Sequence, residues 1–330
     1  MFDLLKKLCM ASAPSGCEKA LAKLIEAEIA PYVDDIKTDA LGNLIAHKKG
    51  NGKKLMFAAH MDEIGLVASC CGEKGQVYVS PLGGVNPYAA LYQRVEFTGG
   101  ARGIVVPDGK MEDLAKGLTV RNLYVDIGAK SEEEATALVN IGEAATFAGD
   151  YVEQGDRIVS KAIDNRVGCY VLLEAVKQMQ TQNNDLYFVF TASEELGLRG
   201  AKAAAVSIQP DYAVALDVTV TGDTPASPKM AVKLGQGVAV KVMDHSFIAH
   251  PIVKDVMISL CRKEEIPYQL EVLERGGTDA GAIHVTGGGV PSGCISVPTR
   301  FIHTPGEMVS KDDVKGAIKL TKTLIETGIE

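Results

Sequence analysis

Apolar residues fall in two textures along this chain. Near both ends, short apolar runs alternate with amphipathic stretches. Leu55–Ala59, Leu186–Phe190, Tyr212–Leu216 and Cys294–Val297 are apolar at nearly every position and too short for core helices. Such runs read as buried strands. Ile36–Thr38 and Leu44–Ala46 flank a turn at 39–43, and Arg157–Ile163 and Tyr268–Val272 read as further strands. Between them the period changes. Ser15 and Glu18 form an S-x-x-E capping box. The helix it opens carries Leu21, Leu24, Ile25 and Ile29 on one face, with Glu26 and Glu28 toward the flanks. Helices are predicted over Val167–Met179, Leu198–Val206, Pro251–Arg262, near Ala280–Val285, and over Asp312–Thr327. Strands alternating with helices imply a sheet covered on both faces.

From about Leu66 to Asp156 the texture is rich in Gly and Val. Short alternating runs occur at Gln76–Ser80, Arg94–Phe97, Gly103–Val106 and Asn122–Asp126, with one helix from Ser131 to about Val139. This predicts a small, mostly-β module of roughly 90 residues. Two α/β pieces flank it, so residues 1–65 and 157–330 are expected to form one discontinuous domain into which 66–156 is inserted. The module has no histidine and only scattered acids. Its strand edges are expected to need a cover, and a partner subunit is one.

Length and charge narrow the function. The chain has 330 residues, which suits about two domains at ~150 residues each. A formal net charge of -8 argues against nucleic-acid or anionic-membrane partners. No apolar run reaches the ~18 residues a membrane span needs. Lys6 and Lys7 break the apolar N-terminal stretch, which reads as an amphipathic helix and not a signal peptide. Seven cysteines, an odd number without zinc-knuckle spacing, point to free thiols in a reducing cytoplasm.

Five polar stretches then stand out, each following a predicted strand. They are His60 and Asp62; the segment 161–166 with Asp164; 191–197 with Glu194 and Glu195; Asp217; and 300–307 with His303. In an open α/β sheet the carboxyl ends of the strands form the ligand crevice. One Asp after a strand is usually a helix cap. So many carboxylates at one edge would repel each other strongly unless divalent cations neutralised them. Imidazole and carboxylate ligands without thiolate suit zinc, cobalt or manganese. His47, His245, His250 and His284 fall outside the set. Gly276-Gly277 and Gly287-Gly288-Gly289 match neither phosphate-loop pattern.

The motifs APSG, AAHMDEIG, KAIDNR, TASEELGLRGA, ALDVT, GGTDA and IHTPGE occur in that order along the chain. In this it resembles the co-catalytic di-metal aminopeptidases, specifically the glutamyl aminopeptidase family that includes the tetrahedral peptidases. The resemblance implies a mixed-sheet α/β/α peptidase domain with an inserted, PDZ-like β-barrel. It implies two zinc or cobalt ions per subunit. His60 and Asp217 would hold one, Glu195 and His303 the other, and Asp164 would bridge them. Glu194 would be the general acid/base, with Asp62 orienting His60. Short peptides would be the substrates, with an acidic or broad preference. Arg166, Arg199, Arg275 and Arg300 lie near the motifs and are candidates to read an acidic side chain. A dimer through the inserted module, building to a dodecamer, is also implied. N-deacylase and carboxypeptidase chemistry on the same site are alternatives, as is a non-catalytic metal-binding scaffold. Some family members carry an endoglucanase label, but a glycosidase usually has aromatic platforms, and this chain has no Trp and 5% aromatics.

Overall fold

The computed structural model describes residues 2–114, 117–225 and 227–329, without the side chain of Asp113. The first strands are β1 Asp35–Thr38, β2 Leu44–Lys48 and β3 Lys54–His60. A second set follows: β4 Gly65–Cys71, β5 Gln76–Leu82, β6 Arg94–Phe97, β7 Arg102–Pro107, β8 Leu123–Asp126 and β9 Ala144–Phe147. The remaining strands are β10 Val152–Gln154, β11 Arg157–Ser160, β12 Asp185–Thr191, β13 Tyr212–Thr219, β14 Val238–Met243, β15 Tyr268–Val272, β16 Ser292–Arg300 and β17 Glu307–Ser310. Helices are α1 Asp3–Met10, α2 Lys19–Ile29, α3 Pro87–Ala90, α4 Met111–Leu114 and α5 Glu132–Leu138. After the second set come α6 Ile163–Gln178, α7 Arg199–Ile208, α8 Pro251–Lys263, α9 Asp279–Ile283 and α10 Lys311–Thr327.

Among the described residues the large sheet has eleven strands, with a main path β1-β2-β12-β3-β13-β16-β17-β11-β10 and with β14 and β15 attached beside β16. β12, β3, β13 and β16 are mutually parallel. β11 is antiparallel to β17, and β17 to β16, so β11 points the same way as the central four. Alternate residues then serve opposite faces, as the strand period of two requires. Leu55, Phe57, Leu186, Phe188, Phe190 and Leu216 pack with α1, α2, α6, α8 and α10. Met56, Ala58, Val189 and Ala213 pack with α7 and α9 on the other face. α6 is buried along almost its whole length, which explains why it shows no clear polar stripe.

The second set of strands closes into a barrel, β4-β5-β8-β7-β6-β9, with every neighbouring pair antiparallel. Closure removes the open edges that the sequence texture suggested would need a partner. The barrel ends at Phe147, and β10 already pairs with β11 in the large sheet. The last few residues of the predicted insertion therefore join the large sheet.

One predicted capping box is absent. Ser15 does not cap α2; its hydroxyl donates to Asp62 Oδ2 at 2.6 Å. Glu18 Oε1 instead accepts from the backbone of Gly16 and Ser193. The site beyond the strand ends competes for these side chains, and wins because its buried carboxylate and backbone amides have no water to turn to.

Candidate metal centre

The five same-direction strands deliver their ends to one edge. His60 is the last residue of β3, and its Nδ1 donates to the carbonyl of Asp62 at 3.1 Å. A carbonyl can only accept, so Nδ1 carries a proton and Nε2 is the nitrogen turned inward, where a cation would take its lone pair in place of a proton. Nε2 lies 3.1 Å from Asp164 Oδ1, 3.8 Å from Asp217 Oδ1 and 3.8 Å from Glu194 Oε2. His303 follows β16. Its Nδ1 donates to the carbonyl of Gly84 at 3.1 Å. Its Nε2 lies 3.1 Å from Glu195 Oε1 and 3.4 Å from Asp164 Oδ2.

Two groups emerge, His60 with Asp164 and Asp217, and Asp164 with Glu195 and His303. In each, the ligand atoms lie within 4.8 Å of one another. Asp164 belongs to both and turns one oxygen toward each histidine. Its Oδ1 is buried with no hydrogen-bond donor. A carboxylate oxygen in that state is costly unless a cation completes it. The donor set, two imidazoles and three carboxylates, fits divalent ions that take nitrogen and oxygen ligands.

The electrostatics point the same way. Burial opposes a charge on His60, but Glu194, Asp164 and Asp62 together outweigh it and raise the imidazole well above its usual range. Burial also opposes charge on His303, which Asp164 and Glu195 overcome, raising it to about 11. Burial pushes Asp217 well up, only partly offset by His60. Glu194 is likewise raised by burial, with His60 pulling it down and Asp217 pushing it up. Burial acts upward on Asp164 too, but the His303 and His60 imidazoles beside it win and its carboxyl is lowered. The bare cluster thus keeps protons where cations would otherwise sit.

A family model described as M42 glutamyl aminopeptidase matches residues 42–320. The chain belongs to this family. It is 52% identical over 97% of both chains to a putative aminopeptidase of Acetivibrio thermocellus. A lysyl aminopeptidase of Pyrococcus furiosus is 33% identical over 98% of this chain and 96% of its own. Among solved structures, an aminopeptidase of Desulfurococcus kamchatkensis superposes with a TM-score of 0.95 at 39% identity, covering 99% of this chain and 95% of that one. The TET1 peptidase of Pyrococcus horikoshii, whose structure is described as a tetrahedron or a large octahedral shell, gives 0.88 at 30% identity over 99% of both chains. A Thermotoga maritima structure titled endoglucanase gives 0.82 at 32% identity over 98% and 96%.

The M42 chain holds its cluster through two buried carboxylates. Asp62 was expected to orient His60, and the structure divides that task. The Asp62 carbonyl holds the ring, while its Oδ1 stands 3.6 Å from Nδ1. The carboxylate itself accepts from Glu194 N at 2.9 Å, Glu195 N at 3.2 Å and the Ser15 hydroxyl. Glu307 is its counterpart. It accepts from Asp164 N at 2.8 Å and His303 N at 2.9 Å. Sequence reasoning gave Glu307 no role, although it lies inside the IHTPGE stretch, four residues after His303. Its position became meaningful only when β17 folded it back under the loop.

Replacing Glu307 by Gln should keep the shape but lose one of these two bonds, because an amide presents a second donor to a backbone N–H. Partners that orient metal ligands typically carry 10–100-fold in metal affinity. Glu307→Gln is therefore expected to release cations at a ~10-fold lower chelator concentration than the parent. An unchanged chelator midpoint would contradict this role.

Of the four arginines near the motifs, Arg166, Arg300 and Arg199 are engaged elsewhere, and Arg275 is exposed and does not line the cleft beside the cluster. Arg166 is fully buried and donates to the carbonyls of Met61, Leu8 and Ala11 and to Glu63. Arg300 pairs with Asp223 at 2.8 Å. Arg199 Nε donates to its own loop at Leu196 O. The cleft beside the cluster is walled by Ile64, Phe147, Ala162 and Pro305, with Lys161 neutralised by Glu63 at 2.6 Å.

Proposed function

We propose that this M42 aminopeptidase removes N-terminal residues from short peptides using two divalent cations, zinc or cobalt. His60 and Asp217 would hold one cation, Glu195 and His303 the other, and Asp164 both. The sharing of Asp164 between two ligand groups carries this reading. Such ions, when bound, polarise a scissile carbonyl and lower the pKa of water at the site. The protein's part is to place groups. Glu194 takes a proton from the attacking water and passes it to the leaving amine. In the metal-free chain burial and Asp217 favour its protonated form, and cations bound beside it would favour the carboxylate that acts as base. Asp62 and Glu307 fix the loops that carry the ligands. Retention of Glu194 beside complete ligand groups favours catalysis over a metal-binding scaffold.

Among the described residues lining the cleft, the single lysine or arginine is Lys161, and it is paired with Glu63, so we favour a broad preference over a strictly glutamyl one. A glycosidase would need two carboxylates on opposite sides of a sugar, ~5–9.5 Å apart. Here the carboxylates converge on shared ligand points instead. Free cysteines throughout and no helix long and apolar enough to cross a membrane, among the described residues, are consistent with a cytoplasmic setting. The likeness to TET1 structures, one described as a dodecamer and one as a tetrahedron or octahedral shell, supports assembly of this chain into a dodecamer.

A panel of aminoacyl-anilides and their N-acetylated forms, assayed with added Co²⁺ or Zn²⁺, tests the reaction class. Free-amine substrates with neutral, acidic and basic side chains are expected to be cleaved, and acetylated ones not. Preferential cleavage of acetylated amino acids or of C-terminal residues, or reducing-sugar release from cellulose, would overturn the assignment.

A further inference from the structure

We propose that the inserted barrel is itself part of the metal centre. Its Gly83-Gly84 turn sets the positions of Glu195 and His303, so the seating of the barrel on the sheet governs how tightly that side of the centre holds a divalent cation. The inference rests on the two-cation reading above.

The two histidines are held differently. The His60 side chain is 2% exposed and is fixed by the end of its own strand. The His303 side chain is 33% exposed and sits on a loop in the left-handed region, φ 62°. Glu307 fixes only its backbone N–H. What fixes its ring is the carbonyl of Gly84, more than two hundred residues earlier and just past the end of β5. An acceptor on one ring nitrogen sets both the tautomer and the direction of the other.

The approach is as close as a backbone allows. A Cβ on Gly84 would stand 2.6 Å from His303 Nδ1 and 2.8 Å from its Cε1. Gly84 does not lie in the left-handed region, so it is the ring, and not backbone strain, that demands glycine. Gly83 does both: its φ is +78°, and a Cβ there would meet Glu195 Oε2 at 2.9 Å. The turn is tied back into the barrel. Val85 packs against the barrel core, and Asn86 caps α3 through Tyr88 N at 3.0 Å. On the far side, Thr146 of β9 meets Ser12 hydroxyl to hydroxyl at 3.1 Å, and Phe147 forms part of the cleft wall with Pro305. A tilt of the barrel would therefore be felt at His303 before it was felt at His60.

The full-length Gly84→Ala variant tests this, with Gly117→Ala as control, since Gly117 is a glycine of the inserted segment with open space around it and no left-handed φ. Cobalt-loaded samples are titrated with a chelator while bound metal and the visible cobalt spectrum are followed. The parent and Gly117→Ala are expected to hold two ions per chain. Gly84→Ala is expected to give up one ion at ~10–100-fold lower chelator concentration, with an altered spectrum, while the other keeps its midpoint. Parent-like midpoints for both ions in Gly84→Ala would overturn the proposal. A parent chain that holds no cation would overturn the two-cation reading itself. Should Gly84→Ala fail to fold, proton NMR of the cobalt-loaded parent decides. Two imidazole N–H signals protected from solvent exchange are expected, and a His303 N–H exchanging as fast as free imidazole would overturn the proposal.

Discussion

Replacing Glu194 by Gln should leave both cations bound and lower kcat by at least ~10²-fold, about 2.7 kcal/mol on the barrier. The side chain touches the cluster without belonging to either ligand group; its Oε2 stands 3.8 Å from His60 Nε2. Its backbone N–H, held by Asp62, is untouched by the substitution. Gln keeps the volume and loses only the ability to accept and return a proton. The effect should therefore fall on kcat, with metal content and fold preserved. Glu195→Gln offers the contrast, because Glu195 Oε1 faces His303 and belongs to a ligand group. That variant should lose metal first and activity as a consequence. Near-normal turnover by metal-replete Glu194→Gln would remove Glu194 from the proton pathway.

Much of this was legible in the sequence because strand ends and ligand types announce themselves locally. Leu55–Ala59, Leu186–Phe190 and Tyr212–Leu216 are apolar because both faces of the sheet are covered. The polar residues at their ends have no local reason to be there. The insertion was legible from its change of period. Three features were not. Barrel closure, expected from the family resemblance, does not follow from the local residue pattern, because it depends on the pairing of β4 with β9, far apart in sequence. Ser15 looks like a helix cap until Asp62 is brought beside it. Gly84 and Glu307 bear on the site through backbone atoms or to backbone atoms, and such contacts leave no side-chain pattern to read.

Removal of metal should abolish activity. The ligand oxygens and nitrogens crowd within 4.8 Å in each group, and without cations the cluster holds itself together only by retaining protons on His60, His303 and Asp217. Cations must displace those protons. Each proton released makes loading stronger as pH rises, and acid should strip the site as His303, raised to about 11 in the metal-free chain, and its neighbours take their protons back. A metal-free chain has Glu194 in place but nothing to polarise the scissile carbonyl.

Reconstitution tests this account most directly. The chain is dialysed against a chelator, its metal content is measured by elemental analysis, and Co²⁺ or Zn²⁺ is returned stepwise while hydrolysis of leucyl-anilide is followed on the same samples. The account predicts no hydrolysis in the metal-free chain and recovery that climbs with occupancy toward two ions per chain. Undiminished hydrolysis by protein shown to carry no metal would contradict it.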